Sequence, residues 1–238
     1  MLSLNMSKTM VFVTRFLWVF TLCSLLGGYF FSIRTYAEEK EAPLEELKKT
    51  VFNFDEVSPG IYRSGLISEK TAPLLSKLGI KTVVSFYDNK GYAERERKFL
   101  ESSGIHMIWL PWSGLDQPSD KTMEQSLKLM DTAELRPILV HCQRGAERTG
   151  VTVAAWRVTR QGWPAERAYE EMQAHKFRSF RYGHLKKYLY DLAYKTGDRE
   201  AKIDNVFERA RIDALSAVYQ LYRTSPFCGI KHERASEN

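Results

Sequence analysis

Pro137 to Gly162 reads PILVHCQRGAERTGVTVAAWRVTRQG: an apolar run, a polar loop and a helical pattern in succession. The run PILVH, 137–141, has the length and composition of a buried strand. From 148 to 161 small and apolar residues continue as a helix. A strand feeding a helix through a short loop is the unit of an α/β sheet. Open sheets of that kind place ligands at the carboxyl ends of their strands.

The loop between them, HCQRGAERTG (141–150), holds residues that chemistry would need there. A strand-to-helix loop turns successive backbone N–H groups inward, and the helix behind it adds a partial positive charge. Together they form an anion site sized for a phosphoryl group. Its lining would be the backbone of Gln143, Arg144, Gly145, Ala146 and Glu147. Gly145 lets the chain fold tightly there. Arg148 can hold two phosphate oxygens with a planar fork, which a lysine cannot do. The same field favours the thiolate of Cys142, the nucleophilic form of the side chain. Thr149 is placed to hydrogen-bond the sulfur, and His141 to brace the loop rather than act as a base. A buried structural thiol is the plain alternative for Cys142, but it would need neither Arg148 nor Gly145.

Working outward, residues 81–87 and 105–110 read as two further strands, and 68–78, 92–101 and 119–134 as helices, the last with Ser119 as N-cap. Beyond the loop the pattern turns helical, over 148–161, 164–175, 183–196 and Asp198–Tyr222. The last carries Ile203, Val206, Phe207, Ala210, Ala214, Val218 and Leu221 at helical spacing, a packing face or a partner-binding one. The expected fold is α/β, a central, mostly parallel sheet with helices on both faces.

The N-terminus differs. Phe16 to Ile33 carries no charge and lies between Arg15 and Arg34. As a helix it would cover ~27 Å, close to the apolar thickness of a bilayer. Residues 1–37 are therefore expected to be a signal peptide or a membrane anchor, with 16–33 in the membrane. Lys8 and Arg15 ahead of the run, and Glu38, Glu39 and Glu41 after it, place the remainder on the extracytoplasmic side. A charged spacer follows over 38–49. A catalytic domain is expected over 50–196, and a helical extension over 197–238.

Composition narrows the function classes. With 44% hydrophobic and 13% aromatic residues in 238, the chain can bury a full-sized core. Its charge of +6 includes three basic residues and no acids in the first 37 positions, so the rest is only mildly basic. With no arginine-rich tract or zinc-ligand spacing, this does not suggest nucleic-acid binding. Cys23, Cys142 and Cys228 are too few and too scattered for a disulfide framework or a metal site.

The loop closely resembles the signature of the protein tyrosine phosphatase superfamily. The resemblance extends over Asn53-Phe54, Val57, the run Pro59 to Gly65 (PGIYRSG), Leu78 to Val84 (LGIKTVV) and Gly104-Ile105, about residues 50–192. These are similar to the compact dual-specificity phosphatases of bacteria and the atypical ones of plants and fungi. The resemblance implies a two-step reaction through a phosphocysteine on Cys142, with no metal or other cofactor. It also implies an aspartate as general acid on the loop before the signature. There LPWSGLDQPSD (110–120) offers Asp116, at the middle of the loop, and Asp120, at a helix start where an acid complements the dipole. Asp116 is the expected acid. Some relatives that read inositol polyphosphates carry lysines in the signature loop, whereas this loop has Arg144 and Glu147, the latter read as a surface charge in preference to a residue ordering water for the second step. The basic segment HKFRSFRYGHLKK, 175–187, either borders the pocket or is a solvated helix boundary. The expected substrate is a phosphorylated protein, or else a phospholipid, phosphoinositide or soluble inositol phosphate. A non-catalytic phosphate-binding module is the alternative of another class.

Overall fold

The computed structural model describes residues 41–224. Two compact units divide the chain, Met1–Glu46 and Leu47–Asn238, and the sheet lies within the second. Residues 41–50 are helical (α1). The sheet has five strands in the order β1-β2-β5-β3-β4: β1 Asp55–Ser58, β2 Ile61–Ser64, β3 Thr82–Ser85, β4 His106–Trp109 and β5 Ile138–His141. β1 and β2 form an antiparallel hairpin, turned at Gly60 with φ +76°. The remaining pairings are parallel. The sheet is thus mixed: the expected parallel pairings are joined by the antiparallel β1–β2 hairpin, a feature that hydrophobic pattern did not predict.

Register decides where the site can be. Ser64 and Ser85 both pair with His141, and Ser85 pairs with Trp109. All four parallel strands therefore end on one line. The segments that leave this edge begin at Gly65, Phe86, Leu110 and Cys142.

Alternation along the strands fills both faces. Ile61, Val84, Ile138 and Val140 share one cluster with helices α4 (Asp120–Asp131), α5 (Arg148–Gln161), α6 (Ala165–Ala174) and α7 (Ser179–Lys195), through residues such as Leu127, Ala154, Met172 and Leu189. Tyr62, Val83 and Leu139 point the other way and are buried as well. Each such aliphatic side chain contributes about 1.5–3 kcal/mol on burial. The connections from β2 to β3 and from β3 to β4 carry α2 (Ala72–Lys77) and α3 (Lys90–Ser102).

Local chemistry sets the helix ends. Ser119 caps α4 as expected, accepting from Thr122 N at 3.1 Å. Asn89 caps α3 in the same way, accepting from Tyr92 N at 2.8 Å. α2 is shorter than the pattern suggests, because Thr71 Oγ1 closes a turn with Ser68. α4 ends at Asp131 and a 3-10 turn, Ala133–Leu135, takes its place.

The last helix is also corrected: α8 is Val206–Thr224, not a helix from Asp198. Asp198 is instead drawn to the start of α6, where its Oδ2 accepts from Ala165 N at 2.8 Å. The expected packing stripe does not hold either. Phe207 (88%), Val218 and Leu221 are exposed, while Ile212 is fully buried. It fits because Gly183 has no side chain: a Cβ there would stand 2.6 Å from Ile212 Cγ1.

The expected membrane address is corrected as well. No helix among the described residues is long and apolar enough to cross a membrane. The 16–33 run, on which anchorage or export rested, lies outside the described residues. The extracytoplasmic assignment is withdrawn.

Candidate active site

Cys142 is the first residue beyond β5 and is buried, with its sulfur accepting the Gly145 N–H at 3.2 Å. Among the described residues no main-chain carbonyl accepts the N–H groups of Gln143, Arg144, Ala146, Glu147 or Arg148. These donors at the N-terminus of α5 are the orphans that an oxyanion satisfies.

The loop keeps this shape because it is clamped from several sides. Gly145 has φ +67°, and a Cβ there would lie 2.4 Å from the carbonyl of Ser64, so only glycine fits. Arg63 rises from β2 beneath the turn and donates Nη2 to the Gly145 carbonyl at 2.8 Å. Leu66 N donates to the Gln143 carbonyl at 3.2 Å. Asn53 donates Nδ2 to the carbonyls of Arg144 at 3.0 Å and His175 at 2.8 Å. The residues PGIYRSG that carried the resemblance are therefore, in large part, the bed on which the loop lies.

Arg148 is oriented before any ligand arrives. Its Nη1 donates to Phe86 O at 2.9 Å, Asp88 Oδ1 at 2.8 Å and Trp112 O at 2.9 Å. None of the three uses Nε or Nη2, the edge that forks onto an oxyanion. Gly114 lies against this guanidinium, where a Cβ would stand 3.3 Å from Nε. The 112–116 loop is thus seated on Arg148. Thr149 is fully buried and its Oγ1 has no protein partner, so the expected bond to sulfur is not formed in this state. His141 is not held through its backbone alone. Its Nε2 lies 2.9 Å from Glu96 Oε1 on α3, both side chains being fully buried.

The aspartates divide. Asp116 lines a cavity of about 450 Å³ with Trp112, Thr122, His184 and Tyr219, and Cys142 lies outside that lining. Burial there lowers the pKa of His184, while main-chain hydrogen bonds at Gly114 and Asp116 and the Asp116 charge oppose the shift. Asp120, exposed at the start of α4, lies beside Tyr188. Burial and then the Asp120 charge push that phenol up to about 12. Glu147 departs from expectation. It is buried rather than a surface charge, and it holds Arg178 at 2.8 Å. The basic segment 175–187 thereby borders the loop.

Asp88, Glu96 and Arg63 are the parts that reading for function missed. The signal available was Arg63, a full charge in the middle of a strand whose neighbours Ile61 and Tyr62 are apolar.

A family model described as the tyrosine phosphatase family matches residues 50–206. The dual specificity protein phosphatase TpbA of Pseudomonas aeruginosa is 33% identical over 150 residues, covering 63% of this chain and 66% of that protein. The inositol diphosphatase DSP3 of Arabidopsis thaliana is 32% identical over 125 residues, covering 51% and 61%. The chain thus spans slightly under two thirds of the length of these curated relatives. The crystal structure of P. aeruginosa TpbA superposes with a TM-score of 0.52 at 26% identity, over 61% of this chain and 91% of that one. A cysteine-to-serine form of it has been solved in complex with pTyr. With its loop, its sheet and the match over most of its length in agreement, the chain belongs to the tyrosine phosphatase family.

Proposed function

We propose that the chain hydrolyses phosphate monoesters on protein side chains, phosphotyrosine first, with a catalytic domain over 50–196 and an extension over 197–238. Cys142 Sγ attacks phosphorus in line, and the bond to the leaving oxygen breaks as Asp116 protonates that oxygen. The orphan N–H groups of Gln143, Arg144, Ala146, Glu147 and Arg148 and the Nε–Nη2 edge of Arg148 hold the equatorial oxygens, where charge gathers in the transition state. Water then attacks the phosphocysteine and releases inorganic phosphate. Thr149 donates its hydroxyl to the sulfur as it leaves.

The observation that carries this reading is the Arg148 side chain, anchored through Nη1 at three acceptors with its other edge unengaged, at the end of a loop whose buried sulfur accepts a loop N–H. A phosphate-binding module would need no thiol. The choice of a protein substrate leans on TpbA, named a protein phosphatase, and on Glu147, whose negative charge beside the loop disfavours polyanions. An inositol phosphate is the second reading, favoured by the name of the Arabidopsis relative.

The test is phosphate release from phosphotyrosine peptides, phosphoserine peptides and inositol phosphates, with Cys142→Ser as control. Turnover should be highest on phosphotyrosine and absent in the serine variant, which should still bind vanadate. Undiminished turnover by Cys142→Ser would sink the mechanism. A preference for inositol phosphates would move the substrate to the second reading.

A further inference from the structure

Beside the loop two arginines converge on one carboxylate. Arg178, just ahead of α7, donates Nε to Glu147 Oε1 at 2.8 Å, and Arg144 Nε stands 3.7 Å from the same oxygen. The Glu147 side chain is 7% exposed, whereas those of Arg178 and Arg144 are 40% and 37% exposed. The carboxylate therefore lies inside and both guanidinium groups reach solvent. Burial alone would lower the Arg178 pKa; the hydrogen bond and charge of Glu147 reverse this and raise it.

The spacing of the two cations is built in. Asn53 holds the carbonyls of Arg144 and His175 with one amide, which ties together the two segments that carry the arginines. The Arg144 guanidinium also lies over the Phe52 ring, 5.5 Å from its centroid.

We propose that Arg144 and Arg178 form a second anion subsite next to the Cys142 loop, and that Glu147 sets its charge and so excludes polyphosphorylated substrates. This deepens the phosphatase reading and rests on it. Two cations less one carboxylate leave a single positive charge at the rim. That charge suits an acidic side chain flanking a phosphotyrosine. A substrate with several phosphates brings far more negative charge, up to two per group, against a fixed carboxylate. With Glu147 neutral, the same two arginines would hold a second phosphate, each with a planar fork.

The experiment separates binding from turnover. In a Cys142→Ser background, calorimetry compares inositol hexakisphosphate with phosphotyrosine before and after Glu147→Gln. The substitution should tighten inositol hexakisphosphate at least ~10-fold relative to phosphotyrosine, and added salt should shrink the gain. The gain should vanish when Arg144→Ala and Arg178→Ala are added. An unchanged ratio, or a gain that survives loss of both arginines, overturns the subsite. If Glu147→Gln loses its far-UV circular dichroism signal, Arg178→Gln with Glu147 intact decides instead. By unmasking the carboxylate it should weaken inositol hexakisphosphate much more than phosphotyrosine, and equal losses overturn the proposal. Turnover by the Cys142 enzyme tests the other level. Failure to release phosphate from any monoester sinks the phosphatase reading, while the binding ratio still judges the subsite.

Discussion

Arg63 Nη2 bonds the Gly145 carbonyl at 2.8 Å, joining a central strand to the turn of the nucleophile loop. Arg63 is 1% exposed, and its Nε and Nη1 have no hydrogen-bond partner. Burial pulls its pKa down to about 10, with the negative charges of Glu171, Cys142 and Asp55 opposing the shift. A buried cation needs a nearby anion, and Cys142 is close enough for its charge to act on Arg63. Arg63→Met should leave the Gly145 carbonyl unpaired, at a cost of about 1–3 kcal/mol in urea unfolding. It should also slow iodoacetamide alkylation of Cys142 at pH 6 by roughly tenfold, and Arg63→Lys should recover part of that rate. Lost stability with unchanged alkylation would reduce Arg63 to a scaffold role.

Arg148→Lys should lower kcat at least ~100-fold, because a point charge cannot make two parallel bonds to the equatorial oxygens. The lysine would also lose the three acceptors that orient Nη1, namely Phe86 O, Asp88 Oδ1 and Trp112 O. Steady-state kinetics should place the loss in kcat. A change confined to KM would mean that Arg148 contributes uniform binding only.

The sequence showed where the chemistry is more clearly than what supports it. The strand, loop and helix of 137–161 were legible because each has its own period and the loop its own chemistry. The β1–β2 hairpin was not, since Glu56 and Arg63 break the alternation of its strands. Glu147 read as a surface charge because its partner Arg178 comes from a segment far along the chain. Glu96 looked like one more acid on a polar helix; only the fold sets it against His141. The stripe on α8 misled because helical spacing says which residues share a face, not whether anything covers it.

The general acid can be decided by leaving group. Asp116→Ala should lower kcat by ~10²–10⁴ on a tyrosyl phosphate and far less on an ester whose leaving group departs unprotonated. Asp120→Ala should be nearly silent, since Asp120 lies exposed at the start of α4 beside Tyr188. A crippled Asp120→Ala beside a normal Asp116→Ala would reverse the assignment.

Acid should loosen the structure at His184. Its native pKa lies below 6.5, chiefly through burial, so on acidification the unfolded chain takes up the proton first. Stability from this group is whole above pH 6.5, falls as pH drops toward the native pKa, and then levels off. Thermal unfolding from pH 7.5 to 5 should show a steeper decline for the wild type than for His184→Gln. Parallel declines would show that other groups dominate.

The amide of Asn53 bridges Arg144 and His175, and its two partners lie 91 and 122 residues further along the chain. During synthesis the segment through residue 175 must therefore clear the ribosome before the nucleophile loop can close around its anion site. The anion site that the proposed function needs is therefore assembled only once the chain extends past residue 175.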